Sequence, residues 1–442
     1  MRKTKLIIFF SVLLLSFSFA FAQAKLRLDD CLKLAFSKSH LLKASGYSVQ
    51  SAKAALAESR AQRLPSLTLS SMYTRIGKIT SFSIPMGAGE TKKFQFGTPN
   101  RVSVDLKLQL PLFTWGRVSS TIELAQAGAS LSQLQQHQQR LSLTAQVLQG
   151  YYAVLLNEEV IRLHESNVER AQHHFDVSKK KFDAGIAPRL QMMQAEVQLK
   201  NARTQLQDAR GNLQKSLIFM GKLIGKGAEK IVLADSIRYE AVDFDEGKLI
   251  ETALAHRSDL EGLRLRQQMS QSQMRLANSG NKPSLFFFSG YNVTNGFDPM
   301  DPDKFVDNYN AGVQLAFPLF DGFATNKKVA QARLDYEALL EQEKEAKENI
   351  KLQMQEAIIA LRQAEAKIAA QKENIRLARE TLKTAEIQYR DGLVASLDVL
   401  DAQQMLNQAE LLHVQAIFNH IMAKLAICRA TEDFSWFEVA LH

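Results

Sequence analysis

Two cysteines, Cys31 and Cys428, are all that the 442 residues contain, and they stand near opposite ends of the chain. Two such residues make no disulfide framework and no thiolate zinc site. The expectation is a pair of buried free thiols. No glycine-rich phosphate loop, nucleophile elbow or zinc-ligand spacing occurs either, so no recognisable constellation for catalysis or metal binding is present. His173 and His174 are adjacent. On a helix adjacent side chains point about 100° apart, which suits solvated or seam-flanking histidines better than a shared metal. The acidic stretch from Asn295 to Asp303 lacks the spacing and the final glutamate of a calcium loop, and its turn residues fit an exposed loop outside the cell. Beyond the N-terminal segment no run approaches the roughly 18 apolar residues of a membrane-crossing helix.

What is present at the N-terminus reads as an export signal. Arg2, Lys3 and Lys5 precede an apolar run from Leu6 to Phe19, and Ala20-Phe21-Ala22 follows as a small-residue cleavage pattern, with Ala22-Gln23-Ala24 as an alternative. The run is too short for a membrane span. No cysteine follows either cut, so a lipid anchor there is not expected. Removal would take three of the positive charges and reduce a net charge of +9 to +6. That excess is modest, and export argues against nucleic acid as a partner.

The chain is written twice. Pro111-Leu112-Phe113 returns as Pro318-Leu319-Phe320, and Phe182-Asp183-Ala184-Gly185 as Tyr389-Arg390-Asp391-Gly392, both 207 residues later. An offset held without slippage over that distance is expected of a rigid element. Earlier landmarks run at 218: Ala35 matches Ala253, and Leu64-Pro65-Ser66-Leu67 matches Lys282-Pro283-Ser284-Leu285. The first strand–loop–strand is therefore 11 residues longer than the second, a difference that loops absorb. Internal repeats fix architecture ahead of local reading. Each copy reads as helix, strand, loop, strand, very long helix, turn, helix.

The strands alternate. Val102, Val104, Leu106, Leu108, Leu110 and Leu112 face one way, and Ser103, Asp105, Lys107 and Gln109 the other. In the second copy Tyr309, Ala311, Val313, Leu315, Phe317 and Leu319 alternate with Asn308, Asn310, Gly312 and Gln314. About ten residues at period two fits an outer-membrane strand, and equally a half-buried strand of a soluble sandwich. Phe113, Trp115, Phe320 and Phe323 at the strand ends favour a membrane interface. Four strands cannot close a barrel, and open edges are not tolerated in lipid, so several chains would have to pool them.

The long helices are expected from about Arg117 to Asp183 and from about Ala324 to Asp391, with no proline and few glycines. Each would reach roughly 100 Å. Ile350, Met354, Ala357, Leu361, Ala364, Ile368, Ile375 and Leu382 form a heptad seam, and Leu143, Val147, Val154, Ile161, Val168 and Phe175 form its counterpart. A sustained seam of this kind means coiled-coil packing. Gly185 and Gly392 stand where a helix end wants a left-handed residue, and Pro188 suits the first turn of the returning helix. The fold class expected is mainly α with a membrane β-barrel portion, a duplicated β-hairpin plus long α-helical hairpin.

These residues resemble the TolC-like outer-membrane efflux proteins, over essentially the whole chain after the signal. The marks are Leu-Pro-Ser-Leu at Pro65 with its counterpart at Pro283, and Pro-Leu-Phe-x-x-Gly-Arg from Pro111 to Arg117, with Phe323 where the second copy would carry the arginine. The most specific stretch runs from Gly392 to Ala402. The resemblance implies a homotrimer with a twelve-stranded barrel and a coiled-coil periplasmic tunnel. It also implies an inner-membrane pump and a periplasmic adaptor (membrane fusion protein) as partners, contact with outer-membrane lipid, and no cofactor. The adaptor would contact the tips, Gly185, Ile186, Ala187, Gly392, Leu393 and Val394.

Asp398 and Asp401 lie three apart and share a helix face. The family places aspartates here, so in a trimer they would ring the periplasmic constriction and favour cations. Alternatively Ser396 caps the helix and Asp398 complements its dipole. The first copy carries Gln191 and Gln194 at the equivalent positions. Tyr389 is retained, whereas the arginine that some members carry two residues past the tip glycine is Val394 here, and Arg189 is a candidate for that cationic role.

The expected division is a signal peptide over 1–22, a first repeat over 23–225, a linking segment over 226–247, a second repeat over 248–429 and a tail over 430–442. Lys230 to Tyr239 could add a strand to a belt around the helices. The function expected is an efflux exit duct with no catalytic step. Alternatives are the duct of a type I protein-secretion system and, in another class, a periplasmic coiled-coil adaptor or scaffold.

Overall fold

The computed structural model describes residues 25–87, 89–298 and 300–439, so the export signal lies outside the described residues. In chain order the elements are α1 (Leu28–Lys38), α2 (His40–Ala61), β1 (Ser66–Arg75), β2 (Thr80–Pro85), β3 (Thr91–Phe96), β4 (Asn100–Phe113), α3 (Arg117–Asp183) and α4 (Arg189–Ile224). The second copy follows as α5 (Glu246–His256), α6 (Ser258–Asn278), β5 (Ser284–Thr294), β6 (Val306–Ala316), α7 (Ala324–Arg390) and α8 (Ser396–Thr431).

The duplication holds in detail. α3 and α7 have 67 residues each, and α4 and α8 have 36. The leading helix expected in each copy is in fact two helices. They break at Ser39 and at Arg257, both in extended backbone and 218 residues apart. The junctions into the long helices repeat as well. Trp115 and Gly116 (φ 47° and 80°) match Gly322 and Phe323 (both φ 65°) at 207 residues. Phe323 therefore takes the place of Gly116, and Ala324 that of Arg117, which corrects the expected alignment of Phe323 with the arginine. Each junction turns through two left-handed residues, one of them aromatic. For a side chain that backbone costs about 1–2 kcal/mol. Phe113 packs on Trp115, and Phe320 on Phe323, at centroid distances of 5.2 and 5.6 Å.

Two compact units form. One takes the described residues up to Ala44, with Gln136–Ser258 and Ala346 onward; the other takes Ser45–Gln135 and Asp259–Glu345.

The second of these holds a four-stranded antiparallel sheet ordered β1-β4-β5-β6. Its register puts Leu69, Leu106, Tyr291 and Tyr309 side by side across all four strands. Leu67 and Leu108, and Phe287 and Val313, pair on the same face. Leu67, Leu69, Tyr73, Tyr309, Val313 and Leu315 are exposed. The other face is mostly polar, with Phe286 and Phe288 among its residues, and there Asn292 donates to Asp105 at 2.8 Å. The expected alternation thus becomes one continuous apolar face across the sheet. Pro111, which has no N–H for the ladder, falls where the β4–β5 register shifts. The longer loop of the first copy is not featureless. It folds into the separate hairpin β2-β3, with Phe82 stacked on Phe94 at 5.8 Å.

In the other unit the heptad seam of α7 is buried at Ile350, Met354, Ala357, Leu361, Ala364, Ile368 and Leu382, with Ile375 half-buried. It runs on through Ala385 to Tyr389. Leu143, Val147 and Val154 of α3 are buried in step, and Ile161, Val168 and Phe175 are half-buried. Cys31 and Cys428 are buried and free, and burial pushes both thiols up to about 12. The stretch from Lys230 to Tyr239 does not form the expected strand. It makes one parallel bridge, Leu233 to Leu26, and inserts Ile231, Leu233 and Ile237 into the core. One correction concerns apolar length: among the described residues α8 is long and apolar enough to cross a membrane. More than half of its apolar window is buried, and it carries the buried polar residues Glu410, His420 and Lys424, as a core helix does.

Candidate functional site at the hairpin tips

Both helical hairpins turn by the same hydrogen bonds. Gly185 N–H donates to the Phe182 carbonyl at 2.9 Å and Ile186 N–H to that of Lys181 at 2.9 Å. Gly392 N–H donates to Tyr389 at 3.2 Å and Leu393 N–H to Gln388 at 2.8 Å. This is the Schellman pattern, which needs a left-handed residue just past the helix. Gly185 at φ 73° and Gly392 at φ 80° supply it. The pattern leaves Ile186 and Leu393 outward, 76% and 75% exposed. Ala187 and Val394 are half-buried, and Val394 packs on a small core made by Leu382, Ala385, Tyr389, Val399, Ala402 and Leu406. Pro188 sits one residue earlier than expected, at the N-cap of α4.

Tyr389 is where the two hairpins meet. It is buried, and its hydroxyl reaches Ser178 at 3.4 Å and donates to Gln191 at 3.5 Å. The ammonium of Lys181 donates to its carbonyl at 2.6 Å and lies 3.9 Å from its ring centroid. The cation against Tyr389 is therefore Lys181, whereas Arg189 is exposed. Gln194 is half-buried on α4. Lys181 closes both turns: its carbonyl accepts from Ile186 and Ala187, and its ammonium binds a terminal carbonyl of α7. A cation at a helix C-terminus also complements the helix dipole.

Ser396 is buried as the first residue of α8 and does not cap it. Its hydroxyl lies 2.9 Å from Nε2 of His174, whose ring stands 5.4 Å from that of Tyr389. Burial, then His173 and Lys181, lowers the His174 pKa to about 4, so the ring is neutral near pH 7. The capping is done by Asp398, whose carboxylate accepts from Ala395 N–H at 2.8 Å. Asp398 and Asp401 are exposed, and both line an open groove of about 580 Å³ between α7 and α8 together with Glu380. Sequence reasoning missed Lys181, Ser178 and His174 as tip residues. The run Lys179-Lys180-Lys181 in the last turns of α3 was a usable signal for the first.

Away from the tips, Glu410 of α8 is buried between Arg170 of α3 at 3.3 Å and Arg379 of α7 at 3.1 Å. The first copy has a polar pair at the positions of Arg379 and Glu410: Arg203 donates to Gln172 at 2.8 Å.

The family model described as outer membrane efflux protein matches residues 31–226 and 249–429, one segment in each copy. The chain belongs to this family. Over 350 residues it is 23% identical to nodulation protein T of Rhizobium leguminosarum bv. trifolii, covering 78% of this chain and 73% of that one. Over 301 residues it is 24% identical to outer membrane protein TolC of Vibrio cholerae, covering 66% and 68%. The crystal structure of the outer membrane protein VceC of Vibrio cholerae superposes with a TM-score of 0.78 at 16% identity, covering 92% of this chain and 96% of that one. The chain thus has the fold of outer-membrane channels, and the duplicated hairpins are the shared architecture of an outer-membrane efflux family.

Proposed function

We propose that three copies close into one exit duct that carries substrates from a pump–adaptor complex across periplasm and outer membrane. The observation that carries this reading is the sheet. Among the described residues its outer strands β1 and β6 each have one edge unpaired within the chain, and one face is largely apolar, exposed on β1 and β6 and half-buried along much of β4 and β5. Lipid tolerates no open edge, so β6 of one copy pairs with β1 of the next. Three sheets of four strands then give twelve. The helical hairpins of the three copies form a periplasmic tunnel. The duct is passive, and an inner-membrane pump supplies the energy.

The tips serve two roles in this reading. Ile186 and Leu393, held outward by the Schellman turns, receive the adaptor, with Gly185, Ala187, Gly392 and Val394 shaping the surface. Tyr389, Gln191, Gln194, Asp398, Asp401 and Arg189 surround the periplasmic mouth, and Lys181 holds the two hairpins of a protomer together. Photo-crosslinking from Leu393 in living cells tests the docking: capture of a periplasmic adaptor is expected, and capture only of the chain itself would reject it. Heat-modifiable trimers and ion conductance in planar bilayers test the barrel. A monomer without conductance would reject the duct.

A further inference from the structure

A second cavity, of about 550 Å³, lies far along the sequence from the tip residues, between the N-terminal segment, the segment joining the copies, α8 and the C-terminal tail. Its buried lining comes from one face of α8 and from Phe437 of the tail. His420 and Lys424, one turn apart, are 1% and 6% exposed. Tyr152, Trp436 and Phe437 add aromatic lining.

The buried lining is under-satisfied. His420 Nδ1 has no hydrogen-bond partner, and its Nε2 has only Glu365 at 3.5 Å, at the margin of a hydrogen bond. Tyr239 packs edge-on against the ring at 4.9 Å and offers it no acceptor. The Lys424 ammonium lies 5.2 Å from the Phe437 ring centroid, and no carboxylate of the described residues stands within ion-pair distance of it. Lys424 is 6% exposed as a residue, and an ammonium that lines a cavity with no anion beside it is open to one brought by a ligand.

The exposed lining is mixed, with more carboxylates than cations. Asp29, Glu240 and Glu438 are exposed there, beside Arg27 and Arg238. Asp235, also lining the cavity, is already engaged by the Tyr151 hydroxyl at 2.5 Å. A polyanion would be repelled by these carboxylates, and a simple cation by Lys424. A molecule with one carboxylate and one ammonium satisfies both.

We propose that this cavity binds a small zwitterion, a free amino acid or the equivalent of a short peptide, with its carboxylate on Lys424 and His420 and its ammonium among the exposed carboxylates. The proposal concerns this cavity alone and does not rest on the transport reading. The size falls within the range of small-molecule sites, and aromatic lining with a few convergent polar groups is their usual make-up.

Saturation-transfer NMR on the purified full chain, with L-alanyl-L-alanine as probe, tests it. Saturation transfer to the dipeptide is expected. Lys424→Met, which keeps the side-chain volume, should weaken binding at least tenfold, and Glu240→Gln should weaken it severalfold without touching the core. N-acetyl-alanine and alanine amide should each bind more weakly than the dipeptide. Absence of transfer at millimolar dipeptide, or transfer unchanged in a Lys424→Met protein of unaltered melting temperature, would overturn the proposal. Equal binding of N-acetyl-alanine would overturn the ammonium half of it.

Discussion

The ammonium of Lys181 donates to the carbonyl of Tyr389 at 2.6 Å and stands 3.9 Å from the centre of its ring. One side chain of the first copy thus ends the long helix of the second. The bond is charge-assisted and half-buried, which places it in the range of about 1.5–3 kcal/mol for hydrogen bonds to charged groups. Lys181→Met should loosen the contact between hairpins and raise the open probability of the channel in planar bilayers. Lys181→Arg should largely preserve it. Tyr389→Phe should have a smaller effect than Lys181→Met, because the bond is to the backbone and the ring remains. Equal conductance of Lys181→Met and the parent protein would show that the contact does not hold the mouth.

The network around Glu410 makes a separate stability prediction. Its carboxylate is buried between two guanidinium groups that differ in exposure, Arg170 at 20% and Arg379 at 65%. Glu410→Ala leaves Arg170 largely buried without its anion, a change that costs about 3–5 kcal/mol. Arg379→Gln removes only the exposed partner and should cost under about 1 kcal/mol. Denaturation of the purified protein should separate the two variants clearly, and equal losses would mean that the network is not centred on Arg170.

His174 gives a pH dependence whose sign is fixed by its surroundings. Its neighbours His173 and Lys181 are bases, and burial is the leading cause of the shift from 6.5 to about 4. The unfolded chain therefore binds the proton more readily than the folded one between these values. The stabilisation is complete above the unfolded value near 6.5 and is lost as pH falls toward 4. A shift of this size corresponds to a few kcal/mol, at about 1.4 kcal/mol per pH unit. Melting temperature should fall between pH 6.5 and 4.5 more steeply in the parent protein than in His174→Gln. Parallel curves would assign the acid sensitivity elsewhere.

Much of this fold was legible because it is encoded by period. The 207-residue offset, the seam from Ile350 to Leu382 and the helix ends at Gly185 and Gly392 all follow from spacing alone. The tip contacts were not legible for a physical reason. Lys181 and Tyr389 are 208 residues apart and His174 and Ser396 are 222, so each pair exists only once the two copies have packed. Ser396 also shows how fine the margin is: a shift of one residue in the start of α8 turns a capping serine into a partner for histidine. The β2-β3 hairpin escaped because its alternation lies inside what length comparison marked only as surplus loop.

Asp398 and Asp401 can be separated by what each does besides carrying charge. Both line the groove of about 580 Å³ at the tip of the second hairpin, and in a trimer each would be present three times. Rings of carboxylates favour cations in a pore. Asp398 also caps Ala395 N–H, whereas no such bond involves Asp401 among the described residues. Asp401→Asn should therefore shift the reversal potential in a salt gradient toward lower cation preference and leave melting unchanged. Asp398→Ala should shift both, with the lost cap costing about 1 kcal/mol. Asp398→Asn keeps an acceptor for the cap and should separate charge from capping at that position. If the double variant Asp398→Asn, Asp401→Asn kept the parent's reversal potential, the carboxylates would not face the ion path, and their place in the groove would point to contact with a partner helix instead.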